Sequence, residues 1–264
     1  MTKIISAAFT FILLNTYGQS DLLKTIGELT IKEDYNKAYK LSDKYIEKDT
    51  LNSMVYFYRA LCQRKNGDYQ DAFIQINRSI YLNKNNSNAY TELGNIFAMT
   101  NEFDKALENY NKAIELNTTN SYAYNSKGAL YNDHFHNDTA ALTNFSKAVL
   151  LDKKNIRALF NVGLCLNYQE KYDQAIIHFT GVIKLKKDHH KAYYERGISY
   201  YSIGNYKAAI KDFNSALKYN NFNDPYDKLD NLEIYDWLSD CHNSNGEHKK
   251  AKLYLSKAKD KNEY

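Results

Sequence analysis

Side chains able to ligate a metal crowd together at one place in this 264-residue chain, Asp133-His134-Phe135-His136-Asn137-Asp138. Two imidazoles two residues apart, flanked by carboxylates, form a donor set of the kind zinc accepts. A second imidazole pair stands at His189-His190, and three cysteines, Cys62, Cys165 and Cys241, are spread along the chain. Nucleophilic and phosphate chemistry have less to work with. There is no Gly-rich phosphate loop, no HExxH, no CxxC and no GxSxG. The histidines and cysteines can act only where the elements that carry them bring them together.

Those elements are set by a repeat. In Ser87 to Asn120, Tyr90, Leu93, Gly94 and Phe97 fall at i, i+3, i+4 and i+7, one face of a helix. After a break at Thr100-Asn101, Phe103, Ala106, Tyr110 and Ala113 mark a second face. Gly94, Ala106 and Ala113 are small where two helices must approach, and large residues stand beside them, as ridge-into-groove packing requires. The pattern returns at 19–52, 53–86, 121–155, 156–189, 190–223 and 232–264. An insert at 224–231 holds the only proline, Pro225. In the fourth copy Ala141, Phe145 and Ala148 arrive one residue late, which places an extra residue within 132–138.

The spacing Tyr90-x2-Leu93-Gly94-x2-Phe97, then Ala106-x3-Tyr110, resembles the tetratricopeptide (TPR) repeat. The resemblance covers 19–264 in about seven copies. It implies an all-α fold, a right-handed superhelical solenoid of antiparallel helix pairs (helix A, then helix B), used for protein interaction rather than catalysis. Two departures stand out. The family usually has a proline after helix B, where this chain has Lys84, Thr118, Lys153, Lys187 and Asn221. Neighbouring Asn residues are expected to end those helices in the left-handed conformation instead. The first, second and last copies carry Ile26, Ala60 and Ser239 in place of the family's glycine, as atypical end repeats do. The last helix carries Lys249, Lys250, Lys252, Lys257, Lys259 and Lys261, a soluble outer face.

The register also disposes of the chemistry. The 133–138 cluster and His189-His190 fall in turns, where polar residues are ordinary. Each cysteine is the tenth residue of its copy, a small-residue place on helix A. Packed helix axes lie roughly 8–10 Å apart, whereas a disulfide needs Cα atoms within about 7 Å. Three buried, unpaired thiols are expected, with no disulfide, no metal, no cofactor and no catalytic residue.

By the same resemblance, partners lie along helix A, at the second, fifth, sixth, ninth, twelfth and thirteenth places of each copy. Those places supply aromatics (Phe57, Tyr58, Tyr122, Phe160, Tyr194, Tyr201, Trp237) and amides (Asn95, Asn125, Asn161). An Asn amide can pair with an extended peptide backbone, and aromatic pockets supply the anchors. Glu233, Asp236 and Asp240 make the last copy acidic beside Trp237, which favours a basic segment there. The family's carboxylate clamp is missing: its Lys–Asn places hold Leu23 and Gly27, Phe57 and Leu61, or Thr91 and Asn95, and Lys191 is followed by Glu195 where Arg is required.

The expected partner is therefore a protein or peptide segment. A net charge of +4 with no Lys/Arg run excludes a nucleic-acid stripe. The alternative is a structural or self-assembling spacer of the cell envelope, motivated by the Tyr-rich helices and the Pro225 insert. An enzyme or metal-binding protein ranks last. Lys3, the apolar run Ile4 to Leu14 and the polar stretch ending at Gly18 have the layout of a secretory signal peptide over 1–18. The run is too short to span a bilayer, which takes about 20 apolar residues. Export to a bacterial periplasm or cell envelope is the expectation, with extracellular release the variant.

Overall fold

Each segment whose apolar residues recur at helical spacing is a helix. The computed structural model describes residues 20–220 and 229–259, and among these there are fourteen helices and no strand. The expected leader at 1–18 and most of the 224–231 insert lie outside the described residues. The chain divides into two compact units, Met1–Phe135 and His136–Tyr264. The first holds α1 (20–31), α2 (Tyr35–Ile46), α3 (Ser53–Lys65), α4 (Tyr69–Leu82), α5 (Ser87–Met99), α6 (Phe103–Leu116) and α7 (Ser121–Asp133). The second holds α8 (Asp138–Leu151), α9 (Ile156–Tyr168), α10 (Tyr172–Leu185), α11 (His190–Ser202), α12 (Tyr206–Tyr219), α13 (Asn231–Ser244) and α14 (His248–Lys259). Odd-numbered helices are helix A of a repeat and even-numbered ones helix B. The division falls in the fourth copy's turn, which is one residue longer than its counterpart at 100–102, as the late Ala141 requires.

The Asn-rich segments between copies start helices rather than end them. Asn86, Asn120 and Asn155 accept from the backbone N–H of Ala89, Ala123 and Ala158, and His189 Nδ1 accepts from that of Ala192 at 3.2 Å. Each such cap is worth about 1 kcal/mol. The expectation of left-handed Asn residues after helix B is overturned. Asn83 and Asn117 are extended, with φ −144° and −146°. Their side chains instead accept from the N–H two residues on, at 3.0 Å in each case, which turns the chain without a positive φ. Left-handed residues stand elsewhere, in the A-to-B turns: Glu33, Gly67, Asn101, His136, Glu170, Gly204 and Gly246, one in every copy.

In the pairs α3–α4, α5–α6, α9–α10 and α11–α12 the core is a matched exchange of volumes. On helix B, Ala72, Ala106, Ala175 and Ala209 are fully buried and admit the partner helix. The eighth place of helix A faces the twenty-fourth place of the repeat on helix B. A Cβ at Gly94 would meet Tyr110 at 2.6 Å, one at Gly163 would meet Phe179 at 2.6 Å, and one at Gly197 would meet Phe213 at 2.8 Å. Where helix A carries Ala60 instead, helix B carries the smaller Ile76, both fully buried. In α14 only Ala251 is buried. Leu255, at the twenty-fourth place of its copy, is 39% exposed, and Lys249, Lys250, Lys252 and Lys259 face solvent. Lys261 lies outside the described residues. No helix among the described residues is long and apolar enough to cross a membrane.

Candidate functional site

Helix A places expected to meet a partner are, in the first unit, largely occupied in holding neighbouring copies together. Arg64 Nε donates to Glu92 Oε1 at 2.5 Å and its Nη2 donates to Oε2 at 3.3 Å. The two side chains are only 9% and 0% exposed. Burial opposes the Arg64 charge, but the Glu92 carboxylate overrides it and raises the guanidinium's pKa. Asn95 is used on both sides of its amide. Its Nδ2 donates to Glu92 Oε2 (3.1 Å) and to the Tyr122 hydroxyl oxygen (2.5 Å), and its Oδ1 accepts from Tyr110 at 2.9 Å. The Tyr122 hydroxyl donates to Glu92 at 3.2 Å. Both N–H donors of the Asn95 amide are therefore engaged within the protein. Phe57 is 8% exposed within a core cluster, edge-on to half-buried Tyr58, and Asn125 is buried.

The second unit repeats the linkage with different side chains. Asn167 Nδ2 donates to the Glu195 carbonyl and carboxylate at 3.3 Å each, while Ser199 donates to Asn167 Oδ1 at 2.7 Å. Burial, outweighing the Asn167 hydrogen bond and reinforced by Glu233, holds the Glu195 carboxyl above the usual range. One copy later Tyr201 meets Trp237 edge-on, ring centres 5.2 Å apart. Arg64–Glu92, Asn167–Glu195 and Tyr201–Trp237 are the same two places, twelfth on one helix A and sixth on the next. Charge or aromatic complementarity between those places is the sequence signal that a reading along a single groove overlooks.

Glu195 gives a pH dependence. A carboxyl whose folded-state pKa is raised favours folding fully below its unfolded value near 4.5 and loses that contribution as pH rises through the folded value. Glu195→Gln removes the titration. The stability difference between variant and parent, from urea midpoints, is expected to shift in the variant's favour between pH 4 and pH 7.

The rest of the second unit's helix A face is aromatic and acidic. Tyr194 is 7% exposed, and its hydroxyl donates to Glu233 Oε1 at 2.5 Å and accepts from Trp237 Nε1 at 3.2 Å. Trp237 also stacks on Phe213 at 6.0 Å. Glu233, Asp236, Trp237 and Asp240 follow i, i+3, i+4, i+7 spacing and share one stripe of α13. Asp236 and Asp240 are exposed and Trp237 is half-buried. Half-buried Phe160 packs on Phe179 (5.7 Å) and on the His189 ring (5.2 Å), beside half-buried Asn161. Of the twelve expected site residues, the acidic pair and Trp237 thus stay open beside one another, while Phe57, Asn125 and Tyr194 are buried.

The chemistry candidates have structural occupations. His134 stacks on Phe103 with ring centres 3.8 Å apart, and His136 takes the left-handed place of its turn at φ +49°. Among the described residues no group of three or more His, Cys, Asp or Glu side chains is placed to hold a metal. Cys62, Cys165 and Cys241 are buried and free, and burial pushes their thiols up to about 11, 11 and 12. Thiolate is the reactive form. In the folded protein at pH 8 all three are expected to resist maleimide for hours and to label within minutes in urea, as mass spectrometry would record.

The tetratricopeptide repeat family's profiles match 87–120 and 190–223, and 156–189. Human tetratricopeptide repeat protein 6 is 31% identical over 94 residues, which is 35% of this chain and 18% of that protein, so the match spans less than a fifth of its relative. Among solved structures, the anaphase-promoting complex hetero-tetramer Cut9–Hcn1 aligns with a TM-score of 0.69 at 18% identity, over 88% of this chain and 44% of the other. Pseudomonas aeruginosa PilF aligns at 0.66 and 17% identity, over 78% and 90%. PilW, described as a widely conserved type IV pilus biogenesis factor, aligns at 0.63 and 17%, over 80% and 94%. At such identities the structural likeness concerns the fold. Residues 87–120, 156–189 and 190–223 are tetratricopeptide repeats, within an all-α fold of repeated antiparallel helix pairs.

Proposed function

We propose that this protein is an exported, non-enzymatic interaction module that holds a basic segment of a partner protein on the helix A face of α11 and α13. One observation carries the reading: Asp236 and Asp240 stand exposed on either side of Trp237, whose ring is fixed by Tyr194, Tyr201 and Phe213. A Lys or Arg side chain placed over a fixed indole gains a cation–π contact, about 0.5–1 kcal/mol at an exposed site. The carboxylates add attraction that salt screens. Exposed Glu233 and half-buried Glu195 deepen the negative field. Three matched repeats of an interaction fold support the class of function, and the 1–18 pattern supports export.

Tyr194 is a poor test because it is buried; its loss would disturb the core. The exposed pair is the better one. Asp236→Lys/Asp240→Lys is expected to weaken binding of Lys/Arg-rich peptides at least tenfold and to leave the thermal midpoint within a few degrees. Equal binding by parent and variant would refute the site. Fractionation of cells making the chain with and without residues 2–18 tests export, with the longer form expected in the envelope or medium at reduced length.

A further inference from the structure

The second unit has a groove of about 740 Å³ on its helix B side, lined by α8, the start of α9 and α10. Its floor and walls include Leu159, Leu150 and Ile177, the last two 68% and 69% exposed. Its rim carries Lys153, Lys154 and Lys184, all exposed. His178 also lines it, held neutral at pH 7 by burial that lowers its pKa, so the charge there is that of the lysines. These residues are separate from the Trp237 face.

Two residues of the groove differ in type from most of their counterparts in other copies. Gly181 occupies the twenty-sixth place of its repeat, where the other copies have Lys44, Arg78, Lys112, Lys147, Ser215 and Lys257. In two copies that residue is a cation lying over helix A, Arg78 over the Tyr56 ring at 5.8 Å and Lys257 over Tyr235 at 5.6 Å. The residue equivalent to Tyr56 and Tyr235 in this copy is Leu159, and nothing from Gly181 covers it. Packing does not demand the glycine, since a Cβ there would meet Leu159 methyls at an ordinary 3.8 Å. A mid-helix glycine weakens the helix, so the open space comes at a cost to the fold. Leu150 stands where four other copies carry Glu47, Glu115, Lys184 and Lys218, and the second copy carries Tyr81.

We infer that this groove is a second docking site, and that its occupant is an acidic amphipathic helix of a partner protein. Apolar side chains at i and i+3 or i+4 fill the space over Leu159 between Leu150 and Ile177. Asp or Glu residues beside them face the three lysines, which meet few opposing charges on the groove's own lining: no Asp or Glu lines it.

The test is a display library of amphipathic 14-residue helices with flanking charge varied from acidic to basic, read by fluorescence anisotropy of the enriched peptides. The parent is expected to enrich acidic members. Gly181→Lys, whose side chain fills the space over Leu159, is expected to weaken them at least tenfold despite its added positive charge. Lys153→Gln/Lys154→Gln/Lys184→Gln is expected to weaken them and to flatten the salt dependence. Should Gly181→Lys fold poorly by circular dichroism, Leu150→Glu/Ile177→Glu at two exposed positions makes the same test. Enrichment of basic or no members, or unchanged binding by Gly181→Lys, overturns the inference. Binding of anionic phosphatidylglycerol vesicles in place of peptides, lost in Gly181→Lys, overturns it in favour of a lipid surface. Basic-peptide binding at Asp236 and Asp240 is unaffected by Gly181→Lys, which keeps the two sites distinguishable.

Discussion

Cutting Glu92 back to alanine is expected to destabilise the first unit by about 3–5 kcal/mol, because it leaves the Arg64 guanidinium buried without its counter-charge. Arg64 is 9% exposed and has its Nε and Nη2 on that carboxylate. Asn95 and Tyr122 lose their acceptor in the same stroke. The urea midpoint should fall with little change in slope, and 1 M salt should not remove the difference, since buried charges are poorly screened. Replacing both partners by apolar residues, Arg64→Met with Glu92→Leu, should recover most of the loss, because no charge is then stranded. A double-mutant cycle separates the pair from its surroundings. A loss below about 1 kcal/mol in Glu92→Ala would mean that water reaches the pair and that it behaves as a surface ion pair.

This pair also shows where the sequence was readable. The helix positions and the longer turn near 132–138 follow from apolar spacing, which depends on neighbours within one helix or one pair. The Arg64–Glu92 link joins residues 28 apart, and neither residue type reveals by itself whether it faces solvent or the next copy. Asn95 is the instructive case. As a polar residue at a groove place it suggests a peptide contact, yet Tyr110, Tyr122 and Glu92 use its amide. The Asn residues after helix B mislead for a related reason. Their side chains can either tolerate a left-handed backbone or accept from a nearby N–H, and in Asn83 and Asn117 the second use wins. The open acidic stripe around Trp237 was legible because α13 alone sets it.

The second large effect is at Gly163. A Cβ there would come within 2.6, 2.8 and 3.0 Å of three atoms of the Phe179 ring, which is fully buried and cannot swing into solvent. Gly163→Ala is expected to cost about 1–3 kcal/mol by overpacking, despite alanine's better helix propensity. Phe179→Ile alone should cost a similar amount through the space it vacates, again about 1–3 kcal/mol. Made together, the two changes reproduce the combination of Ala60 and Ile76 that the second copy already uses, with both residues fully buried. The double variant should be more stable than either single one, measured by calorimetry. Simple additivity of the two losses would show that these places do not share one space.

That exchange of volumes decides how such a chain can be recombined. Copies share an outline, yet helix A of a copy built on alanine does not fit helix B of a copy built on glycine, nor the reverse. Ala60 transplanted opposite Phe179 overfills the space, and Gly163 transplanted opposite Ile76 leaves a hole. The interchangeable part is the whole hairpin, with its glycine or alanine and the ring or branched chain it was fitted to. Grafts, deletions or duplications that cut at the segments between copies preserve those fits, whereas a crossover within an A-to-B turn between unlike copies breaks one. For unlike copies, the safe joints lie between the pairs.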